Sequence, residues 1–262
     1  MATSQKAQEG RIAIVTGATG GIGPAIAKRL AKDGNRIVLT GRNADQLGHA
    51  KKELEKEAGV SALTVVADLA KYEEARRLVE EAMGHFGRID ILVNSAGGWT
   101  GSAIGAFVDK SETQLRNEIE NNLMSTIWMC RAVAPVMLKQ KYGRIVSISS
   151  TAALAGLSGH SAYSAAKAGQ IGLARTLARE LAPSGVTVNC VAPGAVATPF
   201  VKQGIAEGKW SQSEVDEWNE LALNKRFAEP EEVADAVAFL VAENSAHITG
   251  QTLSVSGGMS ML

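Results

Sequence analysis

A phenol and an amine stand four residues apart in Tyr163-Ser164-Ala165-Ala166-Lys167. On a helix this spacing puts both side chains on one face. A phenol can hand a proton to a developing alkoxide or take one from an alcohol. With an ordinary pKa of about 10 it is a poor base at neutral pH, and a nearby ammonium favours the phenolate. Taken alone, such a pair is more often a surface contact. Ser150 strengthens the case: it closes an apolar run, where its hydroxyl can hydrogen-bond a substrate oxygen. Ser147, Ser149 and Thr151 are rival hydroxyls in the same stretch.

A second constellation suits phosphate. Thr16-Gly17-Ala18-Thr19-Gly20-Gly21-Ile22-Gly23 joins an apolar run to a helical pattern. Glycines there permit a tight turn and let backbone N–H groups approach a pyrophosphate, and the helix N-terminus adds partial positive charge. Pro24 fits the first turn, where a missing N–H is harmless. The competing reading is a plain glycine-rich turn; the position between strand and helix favours dinucleotide binding.

The elements that must hold these groups alternate. Strands are expected at 12–16, 36–40, 62–67, 89–94, 144–149, 186–192 and 252–255. Helices are expected at 25–32, 44–56, 73–86, 113–139, 162–181 and 229–241. Nearly continuous apolar strands alternating with helices imply an α/β fold, a single doubly wound parallel sheet of about seven strands, Rossmann-like and covered on both faces. No linker, repeat or low-complexity tract interrupts it, so residues 1–262 read as one domain. The segment 195–226 is long for a loop, with a helical pattern in Val215, Trp218, Leu221 and Ala222. It reads as a partly helical substrate lid; an insertion serving subunit contacts is the alternative.

The spacing Thr-Gly-x-x-x-Gly-x-Gly, with Ser150 lying 13 residues before Tyr163 and Lys167 following, resembles the short-chain dehydrogenase/reductase family. Similar landmarks run to Gly258. The resemblance implies a hydride transfer between nicotinamide C4 and a secondary alcohol or ketone. In that scheme Ser150 holds the substrate oxygen, Tyr163 exchanges the proton, and Lys167 binds the nicotinamide ribose and lowers the Tyr163 pKa. Asn122 matches the family's helical Asn supporting a water relay to the lysine; Asn121 is its alternative. Gly17, Thr19, Gly21, Ile22 and Gly23 match the cofactor cradle. Asp68 and Leu69 resemble the pair that meets the adenine, with a helix N-cap by Asp68 as the competing reading. Asn94-Ser95-Ala96-Gly97 resembles the Asn-Asn-Ala-Gly loop, which implicates Asn94, Ala96 and Gly97. Pro193, Gly194, Val196 and Thr198 match the segment that contacts the carboxamide.

The end of the second strand faces the adenosine ribose, where a carboxylate selects NAD and arginine selects NADP. Gly41-Arg42 resembles the NADP-preferring pattern, so NADP(H) is favoured over NAD(H); a solvated helix-start cation is the bland reading of Arg42. Of four Trp, three Tyr and five Phe, half are Trp99, Phe107, Phe200, Trp210, Trp218 and Phe227. They fall in segments expected near substrate, which suggests an apolar or ring-bearing pocket contacted by Trp99, Ser150, Phe200, Trp210 and Trp218. Core packing that anchors the lid is the alternative. Rival functions are a 3-oxoacyl carrier-protein reductase, suggested by Gly257-Gly258-Met259, and a catalytically silent cofactor sensor or scaffold. Enoyl reductases of the family space their Tyr and Lys more widely.

The chain carries 27 basic and 27 acidic residues, which argues against nonspecific nucleic-acid or anionic-membrane binding. Its apolar runs are far short of the ~18 residues of a membrane span. Cys130 and Cys190 have neither disulfide nor metal-ligand spacing and read as buried thiols, and no metal is expected. The chain reads as cytoplasmic and, from the resemblance, as a homotetramer or homodimer.

Overall fold

Strand β1 (Ile12–Thr16) is buried at every position. Alternation sends Ile12 and Ile14 into one apolar core and Ala13 and Val15 into the other. A strand apolar on both faces belongs inside a parallel sheet with helices on both sides. The computed structural model describes residues 10–98 and 104–261 and shows that sheet.

After β1 come α1 (Gly23–Lys32), β2 (Arg36–Gly41), α2 (Ala44–Ala58), β3 (Ala62–Val66), α3 (Tyr72–Phe86) and β4 (Ile91–Asn94). Next are α4 (Glu112–Ile119), a π turn (Glu120–Met124), α5 (Ser125–Gln140), β5 (Gly143–Ile148), α6 (Ala152–Ala155), α7 (Ser161–Leu181) and β6 (Val186–Pro193). The chain ends with α8 (Pro199–Ala206), α9 (Gln212–Leu221), α10 (Pro230–Val241) and β7 (Thr252–Val255). The strand order is β3-β2-β1-β4-β5-β6-β7, and neighbours pair in parallel. One core packs Leu78 of α3, Met129 of α5 and Ile171 of α7 against the sheet. The other packs Ile26 of α1, Leu47 of α2 and Val233 of α10.

The order reverses between β1 and β4, which opens a crevice at their carboxyl ends. Thr16 closes that end of β1, and its Oγ1 accepts from the N–H groups of Ser95 at 3.0 Å and Ala96 at 2.9 Å. The loops after both strands are thereby tied edge to edge.

Three features depart from the sequence reading. The helix expected over 113–139 is interrupted by the π turn at Glu120–Met124. The short α6 stands where a loop was expected. The 195–226 excursion holds two helices rather than one, because Thr198 accepts from the Val201 N–H at 3.3 Å and Pro199 fills the first turn of α8. Cys130 and Cys190 are free and buried. Among the described residues no helix is long and apolar enough to cross a membrane.

Candidate active site

A cavity of about 710 Å³ runs across the carboxyl ends of the strands. One end is the loop between β1 and α1. Gly17, Thr19, Gly21 and Ile22 line it. Gly17 has φ +65°, and a Cβ there would sit 2.7 Å from the Ser95 carbonyl oxygen, so only glycine fits. Gly23 lies behind the cavity wall, where a Cβ would come within 2.2 Å of the Gly17 oxygen. Its smallness lets α1 dock on the loop. The α1 N-cap is Ile22, which offers no side-chain acceptor, and no acid stands in the first turn. The helix therefore presents uncapped N–H groups and an uncompensated dipole to the cavity, which suits an anion.

Beside this loop the cavity is lined by Thr40, Gly41, Arg42, Asp68 and Leu69. Arg42 is exposed and forms no ion pair with any described residue. The Thr40 hydroxyl is buried without a hydrogen-bond partner, an acceptor and donor left for a ligand. Asp68 is not the cap of α3, whose N-cap is Lys71. Its Oδ1 accepts from the Ala70 N–H at 3.3 Å and closes the preceding turn. Uncapped helix, orphan hydroxyl, free cation and cavity together fit a dinucleotide.

Two expected site residues turn away from the cavity. Asn94 is buried in the core beside α5, its amide donating to Ser147 Oγ at 3.2 Å and Cys130 Sγ at 3.5 Å. Period-two alternation puts it on the same sheet face as Leu92. Asn122, in the π turn, is a clamp. Its Oδ1 accepts from the Gly98 N–H at 2.8 Å, and its Nδ2 donates to the carbonyls of Gly98 at 3.1 Å and Glu118 at 3.0 Å. Its own carbonyl accepts from Gln170 Nε2 at 2.8 Å and Thr126 Oγ1 at 3.1 Å. Ala96 and Gly97 line the cavity as expected, while Asn121 lines it and Asn122 does not.

The hydroxyl rivals separate by geometry. Ser147 Oγ is taken by Asn94, and Ser149 Oγ donates to the Lys167 carbonyl at 2.9 Å. Thr151 Oγ1 lies 3.6 Å from Met259 Sδ. Ser150 lines the cavity and hydrogen-bonds Tyr163. Lys167 is 4% exposed; its Nζ donates to the Ile148 carbonyl at 2.8 Å and lies 5.6 Å from the Tyr163 ring centroid.

The electrostatics correct one expectation. Burial, rather than Lys167, decides the direction of the Tyr163 pKa. Burial pushes Tyr163 above the ordinary phenol value; the Ser150 hydrogen bond pulls it down, and the Glu118 carboxylate pushes it up. Burial depresses Lys167 to about 8, against smaller upward pulls from Cys190 and Glu118. In both groups burial is the largest influence, and it disfavours the charged form.

Pro193, Gly194, Val196 and Thr198 line the far wall, together with Phe200, Trp210, Trp218 and Phe227. Phe107 is 65% exposed and does not join them. Trp99 lies outside the described residues. Glu118 and Met259 are among the lining residues that escaped the sequence reading. For Glu118 the signal was present: it precedes Asn122 by one helical turn, on the same face.

Known proteins resemble this chain along nearly its whole length. A family profile described as "Enoyl-(Acyl carrier protein) reductase" matches residues 17–260. The human protein named "Dehydrogenase/reductase SDR family member 4" is 37% identical over 249 residues, which cover 95% of this chain and 87% of that one. The 3-oxoacyl-acyl-carrier-protein reductase FabG of Staphylococcus epidermidis is 36% identical over 249 residues, 95% of this chain and 98% of that one. The granaticin polyketide synthase putative ketoacyl reductase 1 of Streptomyces violaceoruber is 40% identical over 256 residues, with coverages of 95% and 92%. A solved variant of the actinorhodin polyketide ketoreductase with NADPH superposes with a TM-score of 0.89 at 35% identity, covering 99% of both chains.

The burial of Lys167 has a measurable consequence. Its folded pKa of about 8 lies below the ordinary lysine value, so the folded state holds its ammonium at a cost at neutral pH. That cost fades as pH rises from 8 toward the unfolded value of about 10.4. Lys167→Met removes the charge and forfeits one hydrogen bond. We expect the variant to be about 1–3 kcal/mol more stable than the native protein at pH 7, with the gap closing as pH climbs through that window. Denaturant unfolding of both proteins across pH checks this; a less stable variant at neutral pH contradicts it.

Proposed function

The chain belongs to the short-chain dehydrogenase/reductase family, and on that premise we propose that this NAD(P)-dependent enzyme interconverts ketones and secondary alcohols, with NADP(H) favoured. The observation that carries the reading is the hydrogen-bonded Ser150 and Tyr163 with Lys167 beneath them, in the same cavity as the anion cradle. A bound nicotinamide supplies a hydride at C4, or accepts one.

The protein's own groups do the rest. Ser150 Oγ and Tyr163 Oη converge on the substrate oxygen and orient the carbonyl. In reduction Tyr163 gives up its phenolic proton as negative charge develops on that oxygen. In oxidation the tyrosinate takes the alcohol proton as hydride departs. Lys167 would hold the nicotinamide ribose and replenish charge beneath the tyrosine. Gly17, Thr19, Gly21 and Ile22 would cradle the pyrophosphate, with Gly23 allowing helix and loop to close together. Pro193, Gly194, Val196 and Thr198 would meet the carboxamide, Ala96 and Gly97 the adjoining ribose, and Asp68 and Leu69 the adenine.

NADP preference rests on Arg42. No described residue neutralises it, and Gly41 beside it bears no acid to repel a 2′-phosphate. The substrate side is walled by Phe200, Trp210, Trp218 and Phe227. These rings, on or beside α8 and α9, support an apolar or ring-bearing substrate under a helical lid. A 3-oxoacyl carrier-protein substrate is the second reading, supported by the names of the bacterial relatives. Tyr163 and Lys167 lie one helical turn apart, and that spacing favours carbonyl over enoyl chemistry. A homotetramer or homodimer is the assembly we associate with this reading.

Two outcomes test the assignment. Tyr163→Phe should lose turnover by at least about 100-fold while NADPH still binds; near-native turnover would falsify it. Consumption of reduced cofactor with ring ketones and with 3-oxoacyl thioesters compares the two substrate readings in the same assay. Arg42→Ala should weaken NADPH binding by about 10-fold or more and leave NADH nearly unchanged. Equal losses for both cofactors, read by fluorescence titration, would refute the NADP preference.

A further inference from the structure

Helix α4 buries one side chain among its eight residues, and that side chain is an acid, Glu118. Glutamate is almost never buried without a partner or a purpose. It is 5% exposed and lines the cavity, while its neighbours on α4 are mostly solvated. Its Oε2 lies 3.3 Å from Asn122 Nδ2, the amide that clamps the Gly97–Gly98 loop. The helix thus places its one buried side chain against the loop clamp, in the cavity that the proton-transfer residues also line.

We propose that Glu118 is a positioning residue of this site: its buried carboxylate fixes the Asn122 amide and stands as a third ionisable group in the cavity that Tyr163 and Lys167 line. The proposal rests on the carbonyl-reduction reading for its consequence, though not for its geometry. Its reach is electrostatic. The carboxylate disfavours a tyrosinate and favours a lysinium, so it raises the pH at which the site passes from proton delivery to proton abstraction.

Among the described residues, Tyr163 and Lys167 feel its charge. Tyr163 and Lys167 come from α7; His160, at the start of the same helix, stacks edge-on to Tyr163 at 6.3 Å. Cys190 of β6 lies beyond Lys167, its thiol pushed up to about 12 by burial. The segment 99–103 has no titratable side chain.

Glu118→Gln keeps the shape and the acceptor for Asn122 and removes the charge. We expect the pH midpoint of ketone reduction, and that of alcohol oxidation, to move about 0.5–1 unit toward acid. The Lys167 ε-carbon resonance, assigned by its loss in Lys167→Met, should titrate at lower pH by a similar amount. Glu118→Asp, which keeps the charge, should stay near the native midpoints, and it serves alone if the amide variant folds poorly; a midpoint moved toward alkali in that variant overturns the proposal. Unmoved midpoints in a folded Glu118→Gln protein also overturn it, as do equal shifts in the amide and aspartate variants. The resonance reads the charge without turnover. A protein inactive on every ketone, whose Lys167 titration still shifts, would sink the functional reading and leave this one standing.

Discussion

The site depends on the close meeting of two loops at the reversal point of the sheet. Thr16 Oγ1 accepts the N–H groups of both Ser95 and Ala96, and Gly17 sits so near the Ser95 carbonyl that no side chain fits. This contact sets the spacing between the uncapped N-terminus of α1 and the loop after β4. A buried acceptor that satisfies two backbone donors is costly to remove, since each orphaned donor carries a desolvation penalty of about 1–3 kcal/mol. The crevice is therefore held from its floor, and the cavity walls are built outward from that seam.

The catalytic end shows a different economy. Lys167 is buried, satisfied by one backbone carbonyl, and stripped of part of its affinity for a proton. Tyr163 is likewise buried and resists ionisation. Neither arrangement favours folding. Both place titratable groups in the cavity that Ser150 lines, where a ligand can reach them. Strain of this kind is characteristic of sites whose chemistry requires a group to change its protonation state.

Much of this was legible from residue types alone, because apolar strands in a parallel sheet announce themselves. The strands at 12–16 and 252–255 match to the residue, since abrupt polar or glycine boundaries leave no slack. The π turn escaped because one extra residue within a turn leaves the apolar pattern on either side intact. Helix α8 escaped because only Val201 and Gly204 face inward, too sparse a stripe to show a period. Asn94 is the more instructive case. Motif likeness set it at the cofactor, whereas alternation from Leu92 already directed its side chain toward α5. The Tyr163 pKa shows the same limit. Proximity to lysine is visible in a sequence, but burial, the largest influence on the phenol, belongs to the folded chain.

The two ends of the cavity are built to different standards, and that difference bears on specificity. The cradle, Ser150 and Lys167 are held by backbone hydrogen bonds within or beside the sheet. The aromatic wall hangs on α8 and α9, whose ties to the rest include the Val196–Ala228 bridge, the Lys202–Glu229 ion pair and the Leu223 N–H to Gly257 carbonyl bond at 2.7 Å. Phe200 remains 67% exposed on that wall. The C-terminal segment enters the same region, carrying Met259 to Thr151, one residue from Ser150. A flexible thioether on the cavity wall adapts to varied apolar shapes. On the proposed function, chemistry falls to groups held by the sheet, and substrate choice to a wall of rings and one methionine carried by the segments after β6 and β7. Relatives that share the floor can differ in substrate through that wall without disturbing the proton-transfer geometry beneath it.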